Sequence, residues 1–393
     1  MPGVERDATS RERMPRPRRP SRLLATGAAV ALVAALAAGG LVLRGSGPAI
    51  SDAPAPPDLP LLAFAEFGTT ADHIYTSPAN DPAQRTLIDT VPHAKGWGIN
   101  PALELAGPLF AYTVLPTGAP ARRDAPAEVW TFDLIAGQRT RIARDADLLV
   151  APVLRRDGRA LAYRRSGPEA QELVVVDLVS SLRTVAHVES GALGVFPIAF
   201  GADGQLLFTR LAMTGTDVFR TRAQGEPALL FHASDHIARD WRLSPDGRSL
   251  SFLAPEPVAE RIVHRARVVA VDGARERSLP APAARATEQY GPVWSPDGGA
   301  LAVGQEAFES PRQPAAVLGL DGRVRALPPP ARGFDVPLAW SADGAYLVVR
   351  SFDGTNSHRP GNASMVIVAT DEGKRIPLSS ATELIFIGWI GRA

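Results

Sequence analysis

His93, Lys95, Asp147, His236, Asp240, Glu288, Tyr290, Asp335 and Glu383, with Glu189 beside them, fall in short segments that separate repeated units of the chain. Their acidic excess suits a cationic group or a metal ion held by several loops at once. A solvated rim is built from the same residue types. We therefore take them as a candidate binding set and assign none a catalytic or metal-ligating role. Other chemistry is missing from the sequence. There is no Gly-x-Ser-x-Gly elbow for a hydrolase nucleophile and no glycine loop of the phosphate-binding types, so no cofactor is expected. His232 and His236 are four apart but lie on a strand end and a loop, where that spacing does not put them on one face, and no third ligand accompanies them. With no cysteine in 393 residues, disulfides, thiolate chemistry and lipidated cysteine are excluded. Asn362-Ala363-Ser364 has the form of a glycosylation acceptor.

The elements that must position the candidate set are announced by a repeated phrase. It reads Leu243-Ser244-Pro245-Asp246-Gly247, Trp294-Ser295-Pro296-Asp297-Gly298 and Trp340-Ser341-Ala342-Asp343-Gly344, with weaker copies at Asp157-Gly158 and Asp203-Gly204. The central aspartates are separated by steps of 46, 43, 51 and 46 residues. Proline presets φ for a turn, aspartate tolerates the next position and glycine takes the left-handed one, so each copy closes a tight hairpin between two apolar runs. A repeat of this length made of short strands predicts a β-propeller. The composition agrees: 35 Gly and 36 Pro suit a turn-rich, all-β chain.

These hairpins resemble the repeats of TolB-like propellers, relatives of WD-repeat domains, over most of residues 97–350. The resemblance implies fold far more than activity. TolB itself is similar to six-bladed propellers with a separate N-terminal domain, which this chain lacks, so a role in an envelope protein complex is implied only loosely.

Residues 61–393 hold about seven units of ~48 residues. Residues 61–91 supply three strand-like runs without an innermost strand, and residues 383–389 supply an innermost strand without partners. Pairing the two ends closes a ring of seven blades and leaves no long unpaired edge; six blades is the alternative. Turns from first to second and from third to fourth strand are short and share one face. Connections from second to third strand, at 116–128, 255–261, 306–314 and 353–364, are longer and share the other, which makes that the face expected to bind. Trp241, Trp294, Trp340 and Trp389 recur near the ends of innermost strands and are expected to pack between blades.

The N-terminus carries location. Residues 1–22 hold seven arginines, and residues 23–43 form an uncharged stretch of 21 residues, about 31 Å as a helix and enough to span a bilayer core. The expectation is a cytoplasmic Arg-rich tail (1–22), a single transmembrane helix or uncleaved signal anchor (23–43), a Pro-rich spacer (44–60) and an extracytoplasmic propeller (61–393). A cleaved signal peptide cut near Ala35-Leu36-Ala37, or a twin-arginine signal at Arg18-Arg19, is the alternative; both place the propeller outside the cytoplasm. The whole chain has a formal net charge of +1, and with its basic tail set apart the propeller is mildly acidic, which argues against nucleic acid. The bias of 42 basic residues toward arginine, with only Lys95 and Lys374 as lysines, points to a GC-rich, bacterial genome. The functional expectation is a non-enzymatic binding or scaffold module for a protein or cell-envelope component. The alternatives are a small-ligand sensor, or a propeller enzyme of lyase or hydrolase type working at the channel mouth.

Overall fold

The structure, a computed structural model, describes residues 59–391 apart from 168, 222–225, 274, 278, 281–286 and 308–309. The tail, the apolar stretch at 23–43 and nearly all of the spacer lie outside the described residues. Among the described residues no helix is long and apolar enough to cross a membrane.

Seven antiparallel sheets follow one another around a ring. The first six blades occupy residues 100–147, 153–189, 194–234, 239–277, 289–326 and 333–378. The seventh is composite: Leu384–Ile390 is its innermost strand, followed outward by Leu61–Glu66, Ala71–Pro78 and Thr86–Pro92. Closure runs from Leu61↔Ile390 to Glu66↔Leu384, with one β-bulge between Ala63 and Phe64. The Phe67 amide extends it by donating to the Glu383 carbonyl at 2.8 Å. Seven blades and closure by the chain's ends are thus observed.

Alternation of side chains along each strand buries both faces of a blade, one against each neighbour. The core is accordingly a set of clusters, each lying between adjacent blades. Leu62 and Phe64 of the seventh blade pack on Val348 and Met365 of the sixth. On their other side Ala63 and Ile74 pack on Phe110 and Tyr112 of the first. Trp294 and Trp389 are buried and reach one blade back: their indole N–H groups donate to the Arg242 carbonyl at 3.3 Å and to the Ala339 carbonyl at 3.1 Å. Trp241 serves within its own blade, stacking on Phe252 with 4.2 Å between centroids.

The repeated phrase does more than turn the chain. In the fifth blade the Ser295 hydroxyl donates to Asp297 at 2.5 Å and accepts from the Ala300 amide at 3.0 Å, while Asp297 also accepts from the Gly299 amide at 2.9 Å. The same relay recurs at Ser244/Asp246 and Ser341/Asp343. The turn glycine sits at positive φ, 69° at Gly298, where a side chain is strained. Turns of adjacent blades abut: a methyl placed on Gly298 would lie 3.6 Å from Pro245, and one on Gly391 would lie 3.8 Å from Ala342. Leu61, paired with Ile390, therefore enters the ring on the tight-turn face.

One connection departs from expectation. Residues 255–261 are not a loop: Ser249–Val258 and Arg261–Ala270 pair continuously to Val258↔Arg261, leaving a two-residue tip. Pro255 and Pro257 suggested a break. They are accommodated because the hairpin extends past the blade, where a missing N–H costs little.

Candidate functional site

The loop face between the fourth, fifth and sixth blades holds the densest polar network at the mouth. Arg239 opens the innermost strand of the fourth blade (Arg239–Leu243), and the fourth-to-fifth connection delivers Glu288 to it. Glu288 accepts from Arg239 at 3.2 Å, from the His264 ring at 2.7 Å and from the His264 amide at 2.8 Å. Glu306, buried just beyond Ala300–Gln305, accepts from the Glu288 amide at 3.0 Å and pairs with Arg261 at 3.2 Å. His264 and Arg261 come from the extended hairpin of the fourth blade. Two carboxylates are thus engaged by three side-chain donors, Arg239, His264 and Arg261.

Two long loops interlock beside this network. Arg312–Gln313 adds a short parallel strand inside the start of Gly333–Trp340, through Arg312↔Gly333. The 353–364 connection folds on itself: Asp353 accepts from the Asn362 amide at 2.7 Å, from its side chain at 3.0 Å and from Arg332 at 2.5 Å. These donors hold the Asp353 carboxyl down at about 2. The loop also reaches the fifth blade, where Ala307 donates to the Thr355 carbonyl at 2.8 Å and the Ser357 amide donates to the Tyr290 hydroxyl at 3.2 Å. Burial pushes the Tyr290 phenol up to about 12 despite that donor.

The remaining candidates are scattered. His93 is fully buried, with its two ring nitrogens facing the Ala94 carbonyl at 2.8 Å and Asp72 at 3.1 Å, and Phe67 stacked on it. Burial works against the imidazolium, but the bonds to Asp72 and Ala94 outweigh it and raise the pKa. Asp147 takes Arg164 at 2.6 Å and the Ser166 hydroxyl at 2.8 Å. Asp335 is buried and receives a two-pronged clamp from Arg375 at 2.8 and 2.9 Å. Burial raises the pKa of Glu383, with Arg350 opposing. Lys95, His236 and Asp240 are exposed. Asp240 is, among the described residues, one of three non-glycine residues at positive φ, at 58°, inside the bulge of its strand. The structure therefore brings Glu288 and Tyr290 into one neighbourhood, with Asp240 and Asp335 adjoining it through Arg239 and Phe334, and leaves the other candidates in separate places around the ring. His232, outside the candidate set, is held between Asp217 at 2.8 Å and Asp235 at 3.1 Å. Among the described residues no group of three or more His, Cys, Asp or Glu is arranged to hold a metal ion.

The opposite end of the channel contains residues the sequence did not flag. Arg156, in the tight turn of the second blade, reaches past the third to the fourth, donating to Pro245 O at 2.6 Å and Leu243 O at 3.1 Å, with Glu104 at 3.5 Å. Arg242 lies beneath it, and burial pushes its pKa down. Sequence separation could have suggested several of these contacts. Arg239–Glu288, Arg261–Glu306 and Trp294–Arg242 are 49, 45 and 52 residues apart, one repeat length each, and Arg156–Pro245 is 89 apart, two repeats.

No family model matches the sequence, and no curated protein matches it. Solved structures do. An oligogalacturonate lyase from Vibrio parahaemolyticus is 13% identical with a TM-score of 0.53, over 82% of this chain and 85% of that one. An acylaminoacyl peptidase from Pyrococcus horikoshii is 12% identical with a TM-score of 0.52, over 82% of this chain and 53% of that one. TolB from Acinetobacter baumannii is 17% identical with a TM-score of 0.48, over 70% of this chain, which spans 64% of the TolB chain. The protein is a seven-bladed β-propeller, and at these identities the likeness to solved structures concerns fold alone.

Proposed function

We propose that the chain is a membrane-tethered extracytoplasmic propeller whose loop face binds a protein or an envelope component without chemical turnover. One observation carries the reading. The chain enters the ring at Leu61 on the tight-turn face, whereas the loops at 306–314 and 353–364 interlock on the opposite face. A tether from residues 23–43 leaves such a face pointing away from the bilayer. What supports a binding role there is the engagement of Glu288, Glu306 and Asp353 by arginine, histidine or amide donors, which makes the surface rigid. The test is a crosslinking pull-down of full-length protein from its native membranes, run beside a version with 353–364 shortened to a tight turn. A specific partner lost with the shortened loop is the expected result; the same partners in both samples would refute the assignment of the face.

A second reading, small-ligand binding or acid–base chemistry at the mouth, draws on the Glu288–His264–Glu306 network. Glu288→Gln should leave the fold intact, as read by circular dichroism, so small-ligand binding or turnover that vanishes in this folded variant would favour it.

A further inference from the structure

Large apolar side chains exposed on the tight-turn face cluster, among the described residues, in the first two blades; Val324, just past a turn of the fifth blade, stands apart. The clustered side chains are Leu103, Ile135, Val179 and Leu182, which stand 51 to 74% exposed. Leu103 lies in the first-to-second strand connection of the first blade. Ile135 and Val179 follow Asp133 and Asp177, whose carboxylates accept from the tip amides at 2.8 to 2.9 Å and so fold inward beneath them. The tips thus present apolar side chains outward while their acids are occupied by backbone.

The same sector is basic. Arg141, Arg144 and Arg183 line a depression of ≈ 320 Å³ between the outer strands of the two blades, with Asp145 as its one carboxylate. Arg183 bonds to the Ile142 carbonyl. Among the described residues no ion pair is formed by Arg144, Arg159 or Arg183, although Asp145 lies near Arg183 and Asp157 near Arg159. Apolar tips flanked by guanidinium groups that form no ion pair are the pattern of a surface that seats in a bilayer interface rich in anionic headgroups.

The chain's entry point selects that occupant. Leu61 opens on this same face in the seventh blade, the immediate neighbour of the first. The 17 residues at 44–60 set an upper limit of about 56 Å on the reach of that connection. That length lets the ring tilt about its attachment and lay the first and second blades on the membrane. We propose that the tight-turn tips of the first two blades form a docking surface for an anionic lipid bilayer, the one holding the chain's own anchor; this rests on the tethered reading above.

The absence of cysteine makes the test clean, since one introduced thiol labels uniquely. Full-length protein carrying Ile135→Cys or Val179→Cys, and as controls Met213→Cys or Ile262→Cys on the other face, is labelled with an environment-sensitive fluorophore. Each is reconstituted into phosphatidylglycerol/phosphatidylcholine vesicles containing a lipid-borne quencher. Quenching at 135 and 179 should exceed that at 213 and 262 at least two-fold. It should fall toward the control level in pure phosphatidylcholine, or with Arg144→Gln, Arg159→Gln and Arg183→Gln combined. Equal quenching at all four positions in vesicle-retained protein overturns the docking surface. Carbonate extraction separates the two readings: protein that washes off has no membrane anchor, and its labels are then read with vesicles simply added. Selective quenching in that arm sustains the surface without the tether, and none overturns it.

Discussion

His93 illustrates how a residue read as an exposed ligand becomes part of the framework. Its ring is buried with acceptors at both nitrogens, Asp72 on one side and the Ala94 carbonyl on the other, an arrangement that only the doubly protonated ring satisfies. Asp72 in turn accepts from the Gly68 amide at 3.1 Å and the Ile99 amide at 2.7 Å, tying the seventh blade to the first. A histidine whose folded pKa is raised stabilises fully below its unfolded value, near 6.5, and less as pH climbs through the folded value. Asp72→Asn should therefore cost about 3–5 kcal/mol at pH 6, the range for breaking a buried pair. The cost should be clearly less at pH 9, as read by urea denaturation at the two pH values. An equal cost at both would mean that the ring does not change charge between the two pH values. Nothing in the sequence pairs residue 72 with residue 93, because that contact depends on how a hairpin and a connecting loop fold over one another.

At the scale of the element, the Asp–Gly hairpins were legible because turn geometry selects those residue types wherever it occurs. The part played by serine was not, since its hydroxyl acts only once strand and turn have formed. Ser295→Ala and Asp297→Ala should each cost about 1 kcal/mol. The double variant should cost less than their sum, because the two share one relay. Gly298→Ala should cost about 1–2 kcal/mol for its left-handed backbone. Chemical denaturation of the four variants checks all of this, and strict additivity would count against the relay. The extended hairpin at 249–270 was misread because two prolines ordinarily end a strand, and the sequence does not say that their edge faces outward. The folded loop at 353–364 makes a separate prediction. Asp353 has its carboxyl depressed to about 2, so its ionised contacts are complete above the usual value near 3.9 and are lost only as pH falls toward about 2. Arg332→Ala should leave global stability nearly unchanged, because the pair is solvent-exposed. It should speed proteolytic cleavage between 354 and 361 at neutral pH. An unaltered cleavage rate would show that Asn362 alone holds the loop.

The whole molecule depends on its two ends meeting. Each blade packs only on its neighbours, so a ring with six complete blades and a defective seventh loses two interfaces at once. Leu384–Ile390 buries Leu384, Ile387, Trp389 and Ile390. At about 1.5–3 kcal/mol per buried side chain, their loss approaches 6–12 kcal/mol, the same size as the net stability of an ordinary domain. Close packing adds a second constraint: a methyl on Gly388 would sit 2.6 Å from Leu105 of the first blade, so this strand must also be slim where it passes. Deleting residues 383–393 should consequently abolish the cooperative thermal transition instead of shifting it by a few degrees. Near-UV circular dichroism and a thermal scan of the truncated chain, beside a Gly388→Val variant of the full chain, decide the matter. An unchanged melting temperature in the truncated form would mean that the ring is stable while open, and that Leu61–Glu66 tolerates an unpaired edge. A cooperative but strongly lowered transition for Gly388→Val, with none for the truncation, would establish that the last strand acts as the closing element of the whole propeller.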